Sequence, residues 1–119
     1  MKIKAVVATT FDDIENGWSY TEAALGTLSE SATGKPIIYR RKRVGQVVYS
    51  FVKSGKAVVE AEIDANDEIF KRKLFLVPGG LTDFETKENK LWRCAAHQFF
   101  LTDKPSDKEL SAIEKVFKR

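Results

Sequence analysis

A chain of 119 residues, 43% of them hydrophobic and including eight Phe, three Tyr and two Trp, has the apolar bulk to bury roughly two-thirds of its unfolded surface without covalent staples, which excludes a disordered chain. A net charge of +3, spread over 31% charged residues along the whole length, falls short of the balance of a dedicated nucleic-acid binder. One cysteine (Cys94) and one histidine (His97) exclude an internal disulfide and a cysteine-based zinc cluster, and the absence of an apolar run near the ~20 residues of a membrane span, or of a secretory leader in "MKIKAVVATTFDD", points to a cytoplasmic protein.

No repeat, low-complexity tract or Pro/Gly/Ser-rich linker interrupts the chain, so residues 1–119 read as a single domain. Lys2 to Thr10, rich in Val and Ala, reads as a first strand closed by the polar turn "DDIENG". In "SYTEAALGTLSESATGKP", Ser19 or Thr21 offers an N-cap and Glu22 suits the first helical turn. Ala24, Leu25, Leu28 and Ala32 fall on one stripe, and Gly34 with Pro36 stops the helix.

"PIIYR", "VGQVVYSFVK" and "KAVVEAEID" follow as β-rich segments, the last two separated by Ser54 and Gly55, which predicts a hairpin. A two-residue turn sets Lys53 opposite Lys56, Phe51 opposite Val58, Tyr49 opposite Glu60 and Val47 opposite Glu62 on one face. The other face carries Val48, Ser50, Val52, Ala57, Val59, Ala61 and Ile63 and belongs to a core. The first face is too apolar for a half-solvated sheet, so helices or a partner protein must cover part of it.

"ANDEIFKR" reads as a short helix or turn capped by Asn66 or Asp67, and "KLFLVPGG" as a buried strand. "LTDFETKENK" is a charged loop or hairpin turn, and "LWRCAAHQFFL" the last long strand. "KPSDKELSAIEKVFKR" reads as a C-terminal helix, with Ser106 and Glu109 as capping box and Leu110, Ile113 and Phe117 as stripe. The fold class is α+β: a mainly antiparallel curled sheet or small β-barrel with two or three helices packed outside.

The sharpest charge feature is the run Arg40, Arg41, Lys42 and Arg43 between two apolar strands. In a continuous strand Arg41 and Arg43 face one way and Arg40 and Lys42 the other, which divides the run. With Lys71, Arg72 and Lys73 it forms either a solvated strand connection or a surface for a polyanion or acidic partner, and no aromatic platform accompanies it on the same segment. Cys94 and His97 suggest a thiol with its base, but three residues apart on a strand they point to opposite faces. "PGGL" lacks the lysine and helix of a phosphate loop. Glu60, Glu62 and Asp64 alternate on one strand without a nearby histidine and read as a wet face paired with cations, so no metal and no cofactor is implied.

In order, "YTEAALGTLSESATGKPIIY", "VGQVVYSFVKSGKAVVEAEID", "LFLVPGG" and "FFLTDKPSD" resemble the layout of the bacteriophage prohead (capsid-maturation) proteases, a fold group similar to herpesvirus assemblin, over about Tyr20 to Asp107. The resemblance implies a β-barrel-like sheet wrapped by helices in a protein of phage or prophage head genes. It also implies a serine nucleophile near Val77 to Gly80 and a histidine shortly before the Val-Gly pair. This chain has Pro78 and two glycines at the first place, with Thr82 nearby, and Tyr39 with the four cations at the second. No catalytic residue transfers.

The expected function is therefore that of a non-catalytic phage head-assembly protein, with capsid or assembly proteins or a second copy as partner, in the bacterial cytoplasm or the virion. Two other readings stand beside it. One is a hydrolase with a rearranged site drawing on Thr82, Cys94 or His97; the other is a nucleic-acid or polyanion-binding module using Arg40 to Arg43 and Lys71 to Lys73.

Overall fold

The computed structural model describes residues 1–10, 19–104 and 110–116. In chain order these form β1 (Lys2–Thr9), β2 (Ser19–Tyr20), α1 (Glu22–Ala32), β3 (Pro36–Tyr39), β4 (Lys42–Lys53) and β5 (Lys56–Ile63). A 3₁₀ helix (Asp67–Arg72), β6 (Phe75–Gly79), β7 (Thr82–Lys87), β8 (Lys90–Ala95), β9 (Gln98–Thr102) and β10 (Glu114–Lys115) follow. Seven strands make one sheet in the order β10-β1-β5-β4-β3-β9-β6, antiparallel except where β3 runs beside β9. β2, β8 and β7 make a second, smaller sheet. The class is α+β with a curled sheet, and one α-helix lies among the described residues where two or three helices were expected.

Bulges produce the curl. Val7, Val44 and Val48 are each an extra residue in an otherwise regular ladder, at the register shifts in the β1–β5, β3–β4 and β4–β5 pairs. Each bulge bends its strand and sharpens the local twist, so the sheet rolls until β6 approaches β1. The Val48 bulge also corrects the expected hairpin register. Lys53, Phe51 and Tyr49 face Lys56, Val58 and Glu60 as read from the sequence, but beyond the bulge Val47 faces Ala61 and is fully buried. Gly45 is required by the same rolling, because a side chain there would collide with the Glu62 carbonyl and the backbone of Ile63.

The inner face of the roll carries Ile3, Val47, Val59, Ile37, Leu76 and Phe99, all buried, and Leu25 and Leu28 of α1 complete the core. Thr21 caps α1 by accepting a hydrogen bond from the Ala24 N–H at 3.1 Å. Asn66 does the same for the 3₁₀ helix through the Glu68 N–H.

Two segments depart from the expected elements. Over residues 110–116 the chain is extended rather than helical: β10 pairs with β1, the Ile113 N–H donates to the Leu74 carbonyl at 2.8 Å and the Val116 N–H to that of Lys2 at 2.9 Å. Leu110 and Ile113 are buried as the stripe required, but they close the opening between β1 and β6, where backbone acceptors compete with helical hydrogen bonds. Ser106, Glu109 and Phe117 lie outside the described residues, as does the "DDIENG" turn. The expected last long strand is two strands in different sheets, broken at Ala96 and His97. The segment Leu81 to Lys90, read as a charged loop or hairpin turn, is a hairpin, with β7 leading through a tight turn at Glu88 and Asn89 into β8.

The helix is fastened to β8 by side-chain hydroxyls. The Thr21 N–H and Oγ1 both donate to the Leu91 carbonyl, while Thr27 Oγ1 accepts from the Cys94 N–H and Ser31 Oγ from the Ala96 N–H, each at 3.0 Å. One turn-spaced step on a helix rises about 6 Å and two strand residues span about 6.6 Å, so hydroxyls four apart match amides two apart. The helix thus takes the place of a strand along this edge.

Candidate anion-binding site

The four-cation run is a tight turn between β3 and β4, the solvated strand connection read from the sequence; the division of the run by strand alternation is corrected, because no continuous strand passes through it. Tyr39 pairs with Lys42, and Arg40 and Arg41 are the two central residues, with φ of 52° and 67°. Positive φ at both positions is the geometry of a twist-matched hairpin turn, where Asn and Gly are the low-energy residues. Placing two arginines in left-handed backbone costs on the order of 1 kcal/mol each. All four cations are exposed.

The turn separates them. Arg40 lies over the Tyr39 ring at 5.1 Å from its centroid, at the rim of a cavity of about 380 Å³ lined also by Arg72, Leu74, Leu101, Thr102 and Asp103. Arg72 arrives from the last turn of the 3₁₀ helix, which ends in left-handed Lys73, φ 51°. Arg40 and Arg72, far apart in sequence, therefore share one groove with an apolar floor. Lys71 and Lys73 are exposed at the same helix end. Arg43 instead donates to Gln46 Oε1 at 3.2 Å and borders a shallow hollow with Glu62 and Asp64. Glu60 and Glu62 stand opposite Lys4 and Lys2 on β1, the wet, cation-paired face read from the sequence.

The three residues considered for hydrolysis are not assembled. Cys94 is buried against α1, its Sγ donating to the Ala24 carbonyl at 3.8 Å, and burial pushes the thiol up from 9.0 to about 11, away from a reactive thiolate. His97 is exposed at the bend between β8 and β9, its N–H donating to the Gly79 carbonyl at 3.3 Å and its Cβ beside Gly80. Thr82 opens β7 opposite Ala95, and among the described residues no hydrogen bond joins it to His97. Among those residues, too, no three His, Cys, Asp or Glu side chains gather as metal ligands, and no helix is long and apolar enough to cross a membrane.

The sequence named Arg40 and Arg72 but not their shared cavity, nor the parts played by Tyr39, Leu101 and Thr102, because the cavity arises only where β3 and β9 pair in parallel. No family model, curated protein or solved structure matches this chain.

Proposed function

We propose that the chain is a non-catalytic binding protein of the phage head-assembly kind, holding an acidic segment of a protein partner in the groove between the β3–β4 turn and the 3₁₀ helix. The observation that carries the reading is the convergence of Arg40 and Arg72 on one cavity floored by Leu74 and Leu101. Arginine forks match carboxylates bidentately, and the apolar floor suits the stems of the residues carrying them. Asp103 lines the same cavity and opposes any anion beside it, so the partner's carboxylates belong at Arg40 and Arg72 and away from Asp103. The turn adds to the reading, since Arg40 and Arg41 stand at left-handed positions where Gly would be unstrained. The head-assembly context rests on the order of sequence segments that resembles the prohead proteases.

The test is co-purification with phage capsid and scaffold proteins, with an acidic peptide in fluorescence anisotropy as the simple probe. Binding should fall at least tenfold in Arg40→Glu with Arg72→Glu. Arg41→Gly should raise stability by about 1 kcal/mol without strengthening binding. Undiminished binding in the double variant, or specific peptide cleavage lost in His97→Ala, overturns the proposal.

A further inference from the structure

The outer face of the β1–β5–β4 ladder presents a second cluster, remote in sequence from the arginine groove. The Ser54–Gly55 turn places Lys53 and Lys56 directly opposite each other at the hairpin end. Two like charges in one cross-strand pair repel, and the fold holds them there. Lys4 on β1 reaches the same area, with its Nζ 5.9 Å from the centroid of the Phe51 ring. These lysines, Phe51, Ser54 and Ser111 border a cavity of about 350 Å³ whose floor is Val6 and Val58. Among the described residues Glu114 lies at its edge, and Glu114 and Glu60 stand opposite Lys4 on the two neighbouring strands, so the charge without a facing carboxylate is that of Lys53 and Lys56.

Tyr49 continues the cluster along β4. Its ring is 5.6 Å from that of Phe51, tilted by 34°, and Tyr49 remains 54% exposed. An exposed large aromatic beside a partly covered one is a poor use of core-forming residues. Flat π-faces flanked by lysines on a sheet are, by contrast, what unstacked bases and their phosphates require. Lysine supplies compact point charge to a phosphate, whereas carboxylate recognition favours the arginine fork. Glu60, opposite Tyr49, and Glu62 beyond it bound the positive area, so phosphates belong at the hairpin end and bases over Phe51 and Tyr49.

We infer that this face binds single-stranded nucleic acid, with Tyr49 and Phe51 stacking on bases and Lys53 and Lys56 holding phosphates, while Lys4 lies over Phe51 between Glu60 and Glu114. The site is independent of the arginine groove. The hairpin read from the sequence already sets Tyr49, Phe51, Lys53 and Lys56 on one face, and the β1–β5 pairing adds Lys4.

The experiment is fluorescence anisotropy of the full chain with a short labelled oligothymidylate, its duplex counterpart and an acidic peptide, across a salt series. The single strand should bind more tightly than the duplex, with a log–log salt slope of about −1.4 for two phosphate contacts at roughly −0.7 each. Tyr49→Ala and Phe51→Ala should each weaken binding by about 5- to 150-fold, the range expected for one lost base stack. Lys53→Glu is the decisive variant: it should abolish binding while raising the melting temperature, since an attractive pair replaces a repulsive one, so loss of fold is separated from loss of site. Arg40→Glu with Arg72→Glu should leave oligonucleotide binding unchanged. Several results would overturn the inference: no binding at low salt, equal affinity for duplex, preference of this face for the acidic peptide, or sensitivity to Arg40 and Arg72 in place of Tyr49 and Lys53.

Discussion

Replacing Thr27 by Val and Ser31 by Ala tests whether α1 holds β8 through hydroxyls. Each substitution preserves most of the shape and removes one acceptor, leaving the backbone N–H of Cys94 or Ala96 without its partner. Both residues are nearly inaccessible, at 1% and 2% exposure, so water does not readily replace the lost bond. An orphaned buried N–H costs about 1–3 kcal/mol. Ser31→Ala recovers roughly 0.5 kcal/mol of helix propensity, and the second loss costs less once the first has loosened the strand, so the double variant should lose about 2–4 kcal/mol. Against a typical total of 5–15 kcal/mol, and at roughly 4 °C per kcal/mol for a chain of this size, the shift is readily measured by urea and thermal unfolding. Hydrogen exchange adds a local readout, with the Cys94 and Ala96 amides losing protection first. Ser29→Ala is the control: Ser50 Oγ, 2.8 Å from Ser29 Oγ, keeps its own bond to the Val58 carbonyl, so the cost should stay within about 0.5 kcal/mol. If the double variant unfolds within 0.5 kcal/mol of the parent, the hydroxyl zipper contributes nothing and the argument fails.

Two further outcomes follow from the same geometry. Gly45→Ala should prevent folding or cost more than about 3 kcal/mol, because the added Cβ meets backbone of β5 that has no room to retreat; circular dichroism of a native-like, cooperatively unfolding variant would contradict this. The buried Cys94 thiol, raised to about 11, keeps its proton in the folded chain while the unfolded thiol ionises near 9.0. Stability should therefore be intact below pH 9 and fall by up to about 1.4 kcal/mol per pH unit between 9 and 11, relative to Cys94→Ala measured in parallel. Equal slopes in the two proteins would remove the basis for that assignment.

How far the sequence reaches depends on whether a signal is local. The capped stripe from Thr21 to Ala32 and the Ser54–Gly55 hairpin were legible because helix periodicity, capping and turn chemistry act within a few residues; the helix forms as read, and the hairpin does so from its turn as far as the Val48 bulge. The separate environments of Cys94 and His97 were also foreseeable, although the cause is a break between two sheets rather than alternation along one strand. The stripe of Leu110 and Ile113 misled because apolar spacing marks burial and does not choose between helix and strand when an open sheet edge offers backbone partners. Bulges at Val7, Val44 and Val48 have no sequence mark of their own, yet they turn Val47 inward and roll the sheet. The basic run and the aromatics were visible as residues; only tertiary structure set Arg40 beside Arg72 and Lys4 beside Phe51, since those distances depend on strand pairing between remote segments, where the conformational entropy of closing long loops is offset by the whole core and not by the residues that meet.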